Sequence, residues 1–249
     1  MTDGNPEAAT KTKKGEATRA LILETALDLF RERGYEETTM RAVAERAGVA
    51  LGSAYYYFRG KEELIQTFYG RTHTEHLAAC APVLARETSL KARLLGVMQA
   101  KVDTLEPYHR FSGLLFKTAA DPRSPLNPFS DASRPVRAEA TALFAEVVRG
   151  ANERVPADLE AELPNLLWTY HMGIVLFWIH DSSPGRRRTR KLIGGTVDLV
   201  VRLISLAGLP LMGPVRRSVL RLLADVEADD AEDIETDDAA PAGEDPTPA

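Results

Sequence analysis

Apolar positions recur with helical periods along most of the chain. From about Glu16 to Arg33, Ile22, Ala26, Leu29 and Phe30 fall at i, i+4, i+7 and i+8, which places them on one face of a helix. Gly34 follows where a left-handed C-terminal cap belongs. Thr39 offers the hydroxyl of a helix N-cap, and Met40, Val43, Ala44 and Ala47 continue at i, i+3, i+4 and i+7 until Gly48 stops the helix. A very short helix from about Leu51 to Phe58 comes next, and Gly60 with Lys61 separates it from a long helical stretch beginning near Glu62. Two short helices joined by a glycine-containing turn and buttressed by an amphipathic helix form a helix-turn-helix unit.

Further helices are predicted over Lys61 to about Ala79, Leu90 to Leu105, Tyr108 to Ala120, Arg134 to Gly150, Asp158 to His180 and Arg186 to Ala207, with a last one over Val215 to Ala224. Pro122, Pro125, Pro128 and Pro135 make the stretch from Asp121 to Pro135 a loop. Its length suggests more than a connector, such as a gate to a cavity. Residues 1–15 are polar with Lys11, Lys13 and Lys14 clustered, and read as a disordered basic arm, with contact to a DNA backbone as the alternative. The expected organisation is this arm, a helix-turn-helix DNA-binding domain over 16–62, a helical ligand-binding and dimerisation domain over 63–224, and a disordered acidic tail over 225–249. The fold class is all-α.

The formal charge of −5 changes its meaning once it is divided along the chain. Eleven acids lie between Asp225 and Asp245 with no base among them, so the remainder carries +6. A basic body is compatible with phosphate binding, and the tail either shields it from nonspecific DNA or simply solubilises the chain. A hydrophobic content of 44% over 249 residues is enough for a real core. A single cysteine, Cys80, excludes an intramolecular disulfide framework, and the first residues lack the basic and apolar regions of a signal peptide, so a cytoplasmic location is expected. The most apolar stretch, Leu166 to Ile179, is shorter than the roughly 18 residues that span a bilayer and contains Thr169 and His171, so it reads as a buried helix and no membrane partner is expected. There is no glycine-rich phosphate loop, no His-Glu-x-x-His, no paired-cysteine motif and no nucleophile with a nearby base. An enzyme is therefore not expected, nor is a cofactor.

The run Thr38-Thr39-Met40-Arg41-Ala42-Val43-Ala44-Glu45-Arg46-Ala47-Gly48-Val49, then Gly52-Ser53-Ala54-Tyr55-Tyr56-Tyr57-Phe58 and Lys61-Glu62-Glu63-Leu64, closely resembles the DNA-binding domain of TetR-type bacterial transcriptional regulators. Leu29-Phe30 and Gly34-Tyr35 fit the same pattern. The resemblance covers about residues 16 to 65 and implies an all-helical regulatory domain beyond them, whose last two long helices pair with a second subunit. It implies that Ser53, Tyr56 and Lys61 clamp phosphates, which fixes register without reading sequence. Thr39, at a helix N-terminus, presents a hydroxyl and free backbone N–H groups to phosphate. Arg41 can reach a guanine edge or settle on phosphate. Tyr55 looks groove-facing and Phe58 plugs the core. Gly52 lets the recognition helix approach the bases, with a plain turn glycine as the other reading. Ala50, Leu51 and Ala54 depart from the usual pattern. They leave the recognition helix poor in hydrogen-bonding groups, with Leu51 limited to apolar contact such as a thymine methyl, so Arg41, Tyr55 and DNA shape are expected to carry much of the specificity.

One short recognition helix buries too little surface for selective binding, so a homodimer on a palindromic double-stranded operator is expected. Leu163 to Ile179 is apolar nearly all round, and Leu192, Val200, Leu203 and Ile204 mark a second such helix, with Gly173, Gly194 and Gly195 permitting close approach. This favours an intersubunit four-helix bundle over an intrachain core. A small-molecule effector site is expected among aromatic and polar residues of two helices, with His109 as polar handle, Trp168 as a wall, and Phe116 and His171 beside them. His73, His76 and Cys80 at i, i+3 and i+7 could present ligands to a soft metal, but without a fourth ligand they read as ordinary helix residues. The basic run Arg186, Arg187, Arg188, Arg190 and Lys191 reads as a solvated face. The helix after Lys61 is expected to attach rigidly to the reading head and to wall the ligand site. The function expected is a dimeric repressor released from its operator by an effector. The alternative is a DNA-binding factor controlled by a protein partner or with no small ligand.

Overall fold

The turns expected at Gly34 and Gly48 both have left-handed backbones, with φ of 89° and 67°, where a side chain would be strained. They separate the first three helices of a computed structural model that describes residues 6–238, and side chains over 13–225. These are α1 (Pro6–Arg33), α2 (Met40–Ala47) and α3 (Leu51–Tyr57). Thr39 caps α2 by accepting a hydrogen bond from the Ala42 N–H at 3.2 Å, and Gly48 closes it by donating to the carbonyls of Ala44 and Glu45. Ile22, Ala26, Leu29, Phe30, Val43, Ala54 and Phe58 meet in the core of this head, all essentially inaccessible.

Eight more helices follow: α4 (Lys61–Arg86), α5 (Leu90–Leu105), α6 (His109–Ala119), α7 (Arg134–Arg149), α8 (Ala157–Glu160), α9 (Leu163–His180), α10 (Arg187–Ala207) and α11 (Gly213–Asp238). There is no strand among the described residues. The all-α fold, with its N-terminal helix-turn-helix and helical second domain, is as the sequence predicts. Four boundaries differ. α4 continues to Arg86 through Pro82. The segment from Asp158 to His180 divides, because Pro164 takes a first-turn position where its missing N–H costs nothing and starts a new helix. α1 begins at Pro6, inside the stretch expected to be a disordered arm. α11 runs through Asp225 to Asp238, since neither glycine nor proline interrupts the chain between Val215 and Ala240. Residues 1–5 of the arm and 239–249 of the acidic tail lie outside the described residues.

A second core joins the later part of α4 to α5, α7, α9 and α10 around Leu94, Val97, Phe144, Trp178 and Val197. Two polar devices hold its corners. Buried Arg93 donates to the carbonyls of Leu84 and Glu87 at the end of α4 and to those of Glu146 and Val147 at the end of α7, at 2.7 to 3.0 Å. It thus satisfies orphan carbonyls of two helices. Gly150 leaves room for it, since a Cβ there would lie 2.2 Å from an Arg93 guanidinium nitrogen. Asp181 accepts from the Ser183 N–H, the Thr189 N–H and the Thr189 hydroxyl at 2.7 to 2.9 Å, which fixes the turn from α9 into α10. Burial would raise its carboxyl pKa, but these bonds outweigh burial and hold it well below the ordinary range.

The two cores are not separate. Phe111, Leu115 and Leu126, from α6 and the loop after it, belong to the head core. Phe111 stacks on Phe30 and meets Phe68 of α4 edge-on at 5.2 Å. The loop from Asp121 to Ser133 is packed down. Gln66 of α4 donates to the Pro125 carbonyl at 2.6 Å, Tyr69 to that of Leu126 at 3.4 Å, and Arg137 of α7 to those of Pro128 and Ser130.

Candidate nucleic-acid interface and effector cavity

α3 lies against the head core through Ala54 and Phe58 and turns its other side outward. Tyr56 is 83% exposed and Tyr55 49%. Gly52 is exposed, and a Cβ added to it would meet nothing within 4 Å. The fold itself therefore does not require a glycine there. Thr39 and Arg41 are exposed on α2, and Arg41 makes no hydrogen bond or ion pair among the described residues. Ser53 is half-buried, as is Leu51, which packs partly against the head core. Lys61 differs most from the clamp the resemblance implies. Its ammonium donates to the carbonyls of Tyr35 and Glu36 at 2.8 and 3.3 Å and sits 4.4 Å from the centre of the Tyr35 ring. Two of its three N–H groups thus secure the start of α4 to the α1–α2 turn. Arg19, which periodicity does not single out, lies over the Phe58 ring at 4.7 Å and donates to Thr67.

A cavity of about 210 Å³ opens between α4, α5, α6, α7 and α9. Phe116, Trp168 and His171 line it as expected, and Trp168 meets Phe129 of the loop edge-on at 5.1 Å. His109 does not. Its Nε2 lies 2.8 Å from the Trp178 carbonyl and its ring stands edge-on to Trp178 at 4.7 Å, so it serves the α6–α9 contact instead. The wall also holds residues that the sequence did not point to, above all Lys101, Arg137, Tyr69 and His73. Lys101 stands four residues from both Val97 and Leu105 in the apolar register of α5, and that placement was the available signal.

Burial governs the ionisable groups here. It lowers the imidazole pKa of His73, of His76 to about 3, and of His171 far below its usual range, with the Lys101 charge adding to each. It lowers Lys101 to about 8 and raises the Cys80 thiol to about 12. His76 bonds the Val97 carbonyl at 3.0 Å, whereas neither ring nitrogen of His171 has a partner. No group of three His, Cys, Asp or Glu among the described residues is arranged to hold a metal ion.

A lateral face remains open. Leu176 and Phe177 of α9 and Leu199, Leu203 and Leu206 of α10 are each 41–56% exposed. Gly173 and Gly195 have free space around them. In the basic run, Arg186 pairs with Glu106 at 3.3 Å and Arg190 with Asp103 at 2.7 Å. No single helix among the described residues is long and apolar enough to cross a membrane.

Two family models match the chain: "Bacterial regulatory proteins, tetR family" over residues 22–67, and "Tetracyclin repressor-like, C-terminal domain" over residues 93–221. The chain is 39% identical over 64 residues to the HTH-type transcriptional regulator TtgR of Pseudomonas putida, covering 26% of this chain and 30% of that one. It is 31% identical over 91 residues to the HTH-type transcriptional repressor KstR2 of Mycobacterium tuberculosis, covering 36% and 46%. The chain thus spans less than half the length of these curated relatives. Two solved structures share the fold. The TetR transcriptional regulator from Nitrosomonas europaea has a TM-score of 0.56 at 21% identity, with 73% of this chain and 96% of that one covered. FadR from Bacillus subtilis in complex with stearoyl-CoA has a TM-score of 0.57 at 14% identity, with 72% and 96% covered.

Proposed function

The chain belongs to the TetR family of bacterial regulatory proteins, and from that premise we propose that it is a cytoplasmic homodimeric repressor, released from a palindromic operator by a small molecule in the α4–α9 cavity. It is a regulator, not an enzyme.

On this reading α3 enters the major groove. Arg41 and Tyr55 reach base edges, Thr39, Ser53 and Tyr56 hold phosphates, and Gly52 brings the α3 backbone close to the bases. Lys61 keeps one N–H for phosphate, and Leu51 gives a minor apolar contact. Exposure of Arg41 on α2 and of Gly52, Tyr55 and Tyr56 on α3 supports these roles. The apolar stripes on α9 and α10 support pairing of two copies, which brings two heads to two half-sites.

The observation that carries the effector part is shared membership. Phe68 of α4 and Leu115 of α6 belong to the head core and also line the cavity. A ligand that prefers one arrangement of these two helices biases the position of the heads, because both ends sit on the same side chains. The head spacing then no longer matches the half-sites. Selection of bound fragments from random duplexes by the purified protein is expected to return a palindromic consensus bound by a dimer. A monomer in sedimentation, with no preference among duplexes at moderate salt, would overturn the reading.

A further inference from the structure

The cavity wall carries cationic and imidazole groups but no carboxylic acid among the described residues. Lys101 from α5, Arg137 from α7 and the imidazoles of His73 and His171 face it, and no carboxylate does so among the described residues. Glu139 approaches His73 Nε2 at 3.4 Å, but its side chain is 65% exposed and lies outside the wall. Arg137 is occupied in part by the loop carbonyls. The Lys101 ammonium has no hydrogen bond or ion pair among the described residues, and the buried Cys80 thiol, its pKa pushed up to about 12, stays neutral and offers it no counter-charge. His171 is 3% exposed, between His76 at 6.0 Å and Phe144 at 5.5 Å, with both ring nitrogens unpartnered. A buried polar group without a partner is costly, and so is an ammonium facing an apolar cavity without a counter-charge. One oxyanion would answer both.

The rest of the wall is mostly apolar or aromatic, with Phe68, Phe116, Trp168 and Val175 lining the space beside the hydroxyls of Thr72, Ser112 and Ser133. Its volume is below the roughly 300–1,000 Å³ of sites for drug-sized molecules, which selects a small ligand. We propose that the effector is a small apolar carboxylate, its head group held between Lys101 and His171 and its apolar part lying among Phe68, Phe116 and Trp168. This rests on the reading of the cavity as the effector site. The neutral His171 imidazole donates one N–H to the carboxylate while Lys101 supplies the charge, a charge-assisted pair inside a largely apolar wall.

Calorimetric titration of the full chain, without DNA, tests this with three probes of one chain length: octanoate, octanamide and octylamine. Octanoate is expected to bind about tenfold or more tighter than octanamide, with octylamine weakest. Lys101→Met should lose about tenfold in octanoate affinity and change octanamide little. His171→Phe, which keeps the ring volume, should weaken octanoate in the same direction, and cooperative melting of each variant shows that it is folded. Equal binding of octanoate and octanamide, tighter binding of octylamine, no binding of any of the three, or undiminished octanoate binding to both variants would each overturn the proposal. Since no DNA is present, operator binding by the same preparation reports separately on the regulator reading.

Discussion

The rings of Phe30 on α1 and Phe111 on α6 stack with centroids 6.1 Å apart and 12° between their planes. One ring belongs to the reading head and the other to a helix whose next turns face the cavity. Phe111 is 1% exposed, so the contact is a full part of the head core.

Phe111→Ala is therefore expected to destabilise the chain by about 3–5 kcal/mol, as large core truncations do, and to do so unevenly. Native-state hydrogen exchange should show the amides of α2 and α3 losing protection before those of α5 and α9. Equal loss in both cores would show that the ring does not bridge them.

Gly52→Ala should separate stability from DNA binding. A helical glycine costs roughly 0.5–1 kcal/mol relative to alanine, and nothing in the chain meets the added methyl. A melting temperature raised by a few degrees is expected, together with operator affinity reduced about tenfold or more as the methyl holds α3 off the bases. Unchanged DNA binding would show that Gly52 has no role in the approach of α3 to the bases.

Lys101 gives a pH signature. Its folded pKa of about 8 lies below the ordinary 10.5, so the folded state holds the charged form less readily than the unfolded chain. Below about pH 8 both states carry the proton and the penalty is complete. Between 8 and 10.5 the unfolded chain binds more protons, and stability rises with pH. His73, His76 and His171 remain neutral in that window, and the Cys80 thiol is held above it. Lys101→Met should be more stable than the parent by about 1–3 kcal/mol at pH 7, and the gap should close toward pH 10. Denaturant titrations at the two pH values measure it.

Arg93→Met keeps much of the side-chain volume and abandons the carbonyls of Leu84, Glu87 and Val147, while that of Glu146 keeps its bond from the Gly150 N–H. At roughly 1–3 kcal/mol per buried group left unsatisfied, a loss of at least about 3 kcal/mol is expected in chemical denaturation. Gly150→Ala should act in the same direction by pushing the guanidinium away.

Leu203→Arg tests the lateral face. Leu203 is 55% exposed on α10 and touches neither the head nor the cavity in this chain. Sedimentation should shift to the monomer. Operator affinity should fall by roughly two orders of magnitude, since two tethered half-site contacts become independent ones.

The head was legible because its determinants are local. Thr39, Gly48 and the spacing from Ile22 to Phe58 specify caps, turns and a buried face within a few turns of chain. The cavity was only half legible, because five helices from distant parts of the sequence converge on it. Phe116, Trp168 and His171 stood out as aromatic residues on the right helices. Lys101 reads like any helix lysine until α4, α7 and α9 close around it. His109 looked like a polar handle, but its hydrogen bond to the Trp178 carbonyl depends on a tertiary contact. The ends of α1 and α11 are not legible from polar composition, because no helix breaker interrupts α11 after Val215 and α1 accommodates Gly15.

Surface loops usually accept insertions at small cost. The segment from Asp121 to Ser133 is built against that freedom. It commits Leu126 to the head core, Pro128 to the cavity wall and four backbone carbonyls to side chains of two different helices. Its length is thus gauged from several points at once, and a single added residue would pull at least one of them out of register. An affinity tag or reporter spliced here would disturb both functional regions of the molecule together.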